Sequence, residues 1–270
     1  MRFNHLPTIG IFAALLWGNL AQAALHDRGN GLIYDDILGV TWLQDANLAA
    51  SETFGVSGIR DDGSFESCRD VGPWLHAMRN AHYKGYNDWR LPKNSFPVNG
   101  HTYQNDLSYD GSTDNAYNIG VPGSAYPDSK AYPLAHLFYR SLGNQGWYDL
   151  NGDRNVQGCP DDTNGCLRNT GPFINMQPGI YIDSDEFCDA IIGVPPPLFM
   201  LTFDFRTGQQ SFFSTAMVPP LPPKPFVLPY RFGDVKGFRH VPTLSPWLLG
   251  AMAGLLLVLG GYRLRRRSSR

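Results

Sequence analysis

Three groups of side chains in this 270-residue chain have the types and spacing to do chemistry. The first is Asp149-Leu150-Asn151-Gly152-Asp153-Arg154-Asn155. It places an oxygen donor at every second position, the spacing that opens a twelve-residue calcium loop. A complete loop of that kind needs Gly where Arg154 stands and Glu where Pro160 stands. Asp161 and Asp162 offer two further carboxylates. The segment therefore reads either as a different calcium cage, built from Asp149, Asn151, Asp153, Asn155, Asp161 and Asp162, or as a solvated Asx-rich loop. The sequence implies no cofactor on the loop reading and calcium alone on the cage reading.

The second group is Cys68, Cys159, Cys166 and Cys188. An even count in an exported chain reads as disulfides. Cys159 and Cys166 flank the turn sequence Pro160-Asp161-Asp162-Thr163-Asn164-Gly165 and are paired on that ground; Cys68 with Cys188 follows by elimination. A metal site is the rival reading, but no C-x-x-C or close Cys/His pair supports it. The third group is Asp183, Asp185 and Glu186, which have the residue types of a glycosidase acid/base pair. Acidic pairs of this kind are common in loops. His76, His82, His101 and His136 are scattered without a metalloprotease spacing, and neither a nucleophile elbow nor a phosphate loop occurs. The sequence predicts a protein that is not an enzyme.

The elements that position these groups give an α+β outline for a single domain with short strands, two helices and long loops. Leu32–Tyr34 and Thr41–Leu43 read as strands around the turn 35–39. Val71, Trp74, Leu75, Met78 and His82 recur at helical spacing, which predicts a helix over 70–83 closed by Gly85. A second helix spans 132–142, with Pro133 in its first turn, Leu134, Leu137, Phe138 and Leu142 as its buried stripe and Gly143 at its end. Phe199, Leu201, Phe203 and Phe205 alternate with polar residues as a strand, Thr207-Gly208 turns it into Gln210–Ser214, and a last strand covers 226–232. In Asp88-Trp89-Arg90-Leu91-Pro92, Trp89 and Leu91 are expected in the core and Arg90 is expected to hold Asp88; a ligand contact by Arg90 is the other reading. The stretch Pro219–Pro225 reads as a stiff loop.

Both ends carry address signals. Arg2, the apolar stretch 9–17 and Ala21-Gln22-Ala23 form a secretory signal peptide over 1–23. At the other end Val241-Pro242-Thr243-Leu244 precedes an uncharged stretch, Trp247 to Tyr262, and then Arg263, Arg265, Arg266, Arg267 and Arg270. Sixteen residues make roughly 24 Å of helix, close to the lower limit for a transmembrane span. The arginines hold the C-terminus in the cytoplasm and leave the bulk of the chain outside. Of 22 basic residues six lie in the two ends, whereas all 24 acidic residues lie between them, so the intervening segment has a net charge of −8. Such a segment lacks the basic footprint of a nucleic-acid binder. Asp greatly outnumbers Glu, as suits a loop-rich exported domain.

The tail, residues 241–270, resembles the PEP-CTERM sorting signals in their Ile-Pro-Thr-Leu variant. The resemblance implies an exosortase-type membrane transpeptidase as partner, an inner-membrane precursor, and then a place at the cell surface or outside the cell. The segment 24–240 resembles the Lcl C-terminal domain family of bacterial surface proteins. The matching blocks are Asp27-Arg28-Gly29-Asn30-Gly31-Leu32-Ile33-Tyr34-Asp35 with Thr41-Trp42-Leu43-Gln44-Asp45-Ala46-Asn47, Gly85-Tyr86-Asn87-Asp88-Trp89-Arg90-Leu91-Pro92, Ala135-His136-Leu137-Phe138-Tyr139 with Asn169-Thr170-Gly171-Pro172-Phe173, and Tyr181-Ile182-Asp183-Ser184-Asp185-Glu186-Phe187 with Phe203-Asp204-Phe205-Arg206-Thr207-Gly208. This resemblance implies a C-type-lectin-like or formylglycine-generating-enzyme-like fold and a recognition module for envelope or extracellular polysaccharide, with no catalytic residues. The alternatives are a purely structural matrix protein and an enzyme on the formylglycine-related fold. The block at Tyr181 departs from the family pattern at Ile182-Asp183, and the loop 218–229 is unusually rich in proline.

Overall fold

A computed structural model describes residues 25–183, 199–214 and 224–235. They form a mixed α+β domain built mostly of strands. One sheet has four antiparallel strands in the order β1 (Leu25–Gly29), β2 (Leu32–Asp35), β3 (Val40–Leu43) and β9 (Tyr230–Phe232). The other has five, in the order β4 (Leu107–Ser108), β5 (Asn115–Ala116), β8 (Gln209–Ser214), β7 (Phe199–Asp204) and β6 (Ile180–Ile182); only β4 and β5 run parallel. Two helical segments, α1 (Cys68–Asn80) and α2 (Pro133–His136), complete it.

The β2–β3 turn is closed by a carboxylate. Asp35 Oδ1 accepts from the backbone N–H groups of Ile37 and Leu38 at 3.1 and 3.0 Å, and Oδ2 accepts from Ser141 Oγ at 3.1 Å. One buried acid thus shapes the hairpin and fastens it to the segment after α2. Strand β1 is absent from the sequence reading. It is short and half-exposed, so hydrophobic alternation does not mark it. Its signal is Asn30-Gly31, two residues at φ 55° and 76°, as a tight hairpin turn requires.

Helix α1 begins where Ser67 N–H and Oγ both donate to the Asp70 carboxylate. Val71, Trp74, Leu75 and Met78 are fully buried. The predicted stripe ends there. His82 takes a left-handed conformation (φ 48°), is exposed, and ends the helix three residues before Gly85. The second predicted helix is α-helical only over Pro133–His136; Leu137–Ser141 widens into a π turn, with Leu142 N–H donating to Leu137 O at 2.9 Å. Leu137, Phe138 and Tyr139 are consecutive and all buried. Burial runs unbroken from Pro133 through Tyr139, across the α and the π turns alike, so this segment is enclosed on all sides. Phe138 and Tyr139 pack on Phe203 and Phe205 of the β7–β8 hairpin.

The β7–β8 hairpin follows the predicted register, with Leu201, Phe203 and Phe205 buried. At its turn Gly208 has φ +80°, and a Cβ there would lie 2.7 Å from Tyr139 Oη. The predicted strand over 226–232 is divided between the sheets. Phe226 pairs with β6, exchanging backbone bonds with Ile180 and Ile182, whereas Tyr230–Phe232 pairs with β3. Pro229, with no N–H to offer a ladder, lies between the two. Trp89 and Leu91 are fully buried as expected. The Asp88 expectation is corrected: Asp88 is held by Arg231, bidentately at 2.9 and 3.0 Å, whereas Arg90 lies over the ring of Phe232. The partner comes from β9, more than a hundred residues away, so local sequence could not name it.

His136 is 2 % exposed, and burial lowers its pKa from 6.5 to about 4, with Asp35 opposing the shift. The unfolded chain takes up this proton near pH 6.5 and the folded chain only near 4. The linked stability is present above 6.5 and is lost as pH falls toward 4, up to about 3 kcal/mol. Urea unfolding at pH 7 and 4.5 should show this acid loss in the wild type and a smaller one in His136→Gln. Equal losses in both proteins would rule the linkage out.

Candidate functional site

The side chains best placed to meet a ligand lie on the loop that leads into β4. Its conformation is set by Asp114, which is fully buried. Asp114 Oδ1 accepts from Val98 N–H at 2.6 Å and from Tyr132 Oη at 2.8 Å; Oδ2 accepts from Gln104 N–H at 2.8 Å. Asp114 N–H donates to Gln104 O, and Ser95 N–H to Ala131 O. Asn99 Oδ1 folds the tip by accepting from His101 and Thr102 N–H. A buried carboxylate is costly unless its oxygens are satisfied, and three donors satisfy this one. The loop is therefore pinned from within.

Pinning fixes the rings of Phe96 and Tyr103 at the surface, against the half-buried Phe212. Tyr103 lies edge-on to Phe212 of β8 at 4.9 Å between centroids and to Phe96 at 6.4 Å. Phe96 and Tyr103 are 36 % and 45 % exposed, and Leu107 close by in sequence is 47 % exposed. Burial and the Asp114 carboxylate raise the Tyr103 phenol pKa, so it is a neutral hydrogen-bond donor at physiological pH. Rigid aromatic faces flanked by phenol and amide groups stack on the C–H face of a sugar and bond its hydroxyls. None of the three rings was singled out as a site residue by sequence reasoning. The available signal was a cluster of aromatics in a polar loop, Phe96, Tyr103 and Tyr109, without helical or strand period.

The calcium candidates are distributed differently. Asp149 Oδ1 accepts from Asn151 and Asp153 N–H at 2.8 and 2.9 Å, which closes a tight turn between Tyr148 and Arg154. Asn155 caps the next turn by accepting from Gly158 N–H. Asp161 is paired with Arg154 and Asp162 with Arg168, each at 2.7 Å. Among the described residues no three His, Cys, Asp or Glu side chains converge as an ion site. The turn is closed by its own backbone bonds and by arginines. Sequence spacing alone cannot separate this arrangement from a cage, because both use Asx oxygens at alternate positions.

Cys159 and Cys166 form the predicted disulfide, fully buried. The Cys68–Cys188 pairing, the carboxylates Asp185 and Glu186, and the motif Val241, Pro242, Thr243 and Leu244 lie outside the described residues, as does the stretch 247–262. No helix among the described residues is long and apolar enough to cross a membrane. Asp183 is fully buried, and burial raises its pKa well above the usual carboxylate range, opposed in smaller part by the Leu134 backbone.

No known family, curated protein or solved structure matches this chain.

The role of Asp114 can be tested directly. In Asp114→Asn one carboxylate oxygen becomes an amide that cannot accept from a backbone N–H, leaving a buried donor unpaired at a cost of about 2 kcal/mol. Urea unfolding should register that loss, and the amides of Val98 and Gln104 should exchange faster. Unchanged stability together with unchanged exchange would show that the loop is held by something else.

Proposed function

We propose that this protein is an exported surface or extracellular-matrix protein whose domain recognises carbohydrate. The observation that carries the reading is the exposed pair Phe96 and Tyr103, set against the half-buried Phe212 and held on a loop fixed by a buried carboxylate. A core has no use for rings left a third to a half exposed, whereas a sugar platform needs open ring faces and little ordering on binding. The blocks that resemble the Lcl C-terminal domain family suit this reading, since that resemblance implies a lectin-like module. The net charge of −8 between the two ends favours a neutral glycan at this platform.

Export rests on the sequence of both ends. Residues 1–23 direct secretion, and 241–270 combine a short motif, a marginal span and an arginine cluster. A permanent anchor needs no motif and a soluble protein needs no span; their combination suits a transient anchor removed by an exosortase-type transpeptidase. The Cys159–Cys166 bond fits an oxidising compartment.

Two experiments test the reading. On a glycan array the purified protein should bind a neutral polysaccharide, with Tyr103→Ala and Phe212→Ala each weakening it by about tenfold, the loss of one stacking ring. Array silence at high protein concentration would instead favour a structural matrix protein. Mass spectrometry of mature material should lack the peptide 248–270, and alanines in place of Val241-Pro242-Thr243-Leu244 should leave full-length precursor in the inner membrane. An intact arginine tail on surface protein would reduce the tail to an anchor.

A further inference from the structure

Around β9 three arginines have different fates. Arg28 is bidentate to Asp234 at 2.8 Å in both bonds, and Arg231 is bidentate to Asp88. Arg90 has no carboxylate partner and no side-chain hydrogen bond among the described residues; its Nε is buried and unpaired. Its backbone is locked, with N–H and C=O both bonded to Tyr230 at 2.9 and 3.0 Å. Its guanidinium lies 4.8 Å from the centroid of Phe232, a ring 49 % exposed.

An arginine that only filled space would have a neighbouring acid or carbonyl, as Arg28 and Arg231 do. Here Asp88, two residues away, and Asp234, two residues beyond Phe232, are already engaged by other arginines. Phe232 lies within cation–π distance of the guanidinium, whose terminal nitrogens make no hydrogen bond among the described residues and are left to meet a planar anion.

We propose that Arg90 and Phe232 form a second binding site that takes the carboxylate of a uronate sugar, its two oxygens on the guanidinium fork and its ring against the exposed part of Phe232. The choice of a sugar as the bearer of the carboxylate rests on the carbohydrate-recognition reading above. The site is separate from the Phe96–Tyr103–Phe212 platform in chemistry, since it reads charge where the platform reads apolar ring faces. The acidity of the domain limits such a site to one carboxylate at a time, so the ligand is a mixed polymer with scattered uronates rather than a dense polyanion.

The test is titration of the purified protein at low ionic strength with three probes: an oligosaccharide carrying one glucuronate, the same oligosaccharide with its carboxylate reduced to an alcohol, and an acidic peptide. The glucuronate form should bind at least tenfold more tightly than its reduced counterpart, and salt should erode the difference. R90Q should abolish the preference, and R90K should retain a part of it, since charge remains and the fork is lost. Thermal melting of both variants checks the fold. Glucuronate preference intact in folded R90Q would overturn the proposal, as would tighter binding of the acidic peptide. If the glucuronate probe binds through Arg90 but neutral glycans fail on the array, this site stands and the aromatic platform falls. If neutral glycans bind and the glucuronate form gains nothing, the platform stands and this site falls.

Discussion

Tyr230 is the point where segments far apart in the chain are made one domain. Its backbone pairs with Trp42 in β3 on one side and exchanges two hydrogen bonds with Arg90 on the other. Its hydroxyl accepts from Lys93 N–H at 2.7 Å, and its ring lies edge-on to Trp42 at 5.2 Å. A ladder bond holds only while both strands are present, so the first hairpin, the Trp89 segment and the end of the domain stand or fall together. The loop that carries Phe96 and Tyr103 begins directly after Lys93. Arg90 and Phe232, at the other candidate site, are fixed by the same pairing.

The second constraint is the use of buried aspartates in place of regular secondary structure. Asp35 closes a hairpin and reaches Ser141; Asp114 gathers the N–H groups of Val98 and Gln104 with the Tyr132 hydroxyl; Asp204 accepts from Arg206 N–H and Thr207 Oγ1 at the β7–β8 turn. A chain with long loops leaves many backbone donors without a ladder partner, and each must be satisfied somehow. A carboxylate with two oxygens takes several donors at once. This gives the abundance of Asp over Glu a physical reason: the shorter side chain stays close to its own backbone and closes turns. The same chemistry lets Asp149, one of the alternately spaced oxygen donors of its segment, close the turn that follows it.

Local rules made several elements legible. The stripe Val71, Trp74, Leu75 and Met78 gave α1; the alternation of Leu201, Phe203 and Phe205, with the glycine after Thr207, gave the β7–β8 hairpin; the turn between Cys159 and Cys166 gave a disulfide. Each depends on residues close in sequence, where period and turn chemistry act directly. The misses follow the same logic. His82 lay at the right spacing for α1, but the chain had already left the helix. Phe226 and Tyr230 lay on one apolar run, but two different sheets claimed its two ends. Arg90 was expected to hold Asp88, two residues away, and a distant arginine held it instead.

By itself, then, the sequence determined the α+β class, the main hairpins and the longer helix, because these rest on period and turn residues within a dozen positions. It also supplied the export and sorting reading, which rests on composition at the two ends. Tertiary structure alone decided which arginines engage Asp88 and Asp234 and which stays unpaired, because those two ion pairs join residues more than a hundred positions apart. It alone decided that Phe96, Tyr103 and Phe212 meet. Their meeting depends on the Asp114 carboxylate being enclosed, and enclosure is a property of the packed domain, not of any segment of it.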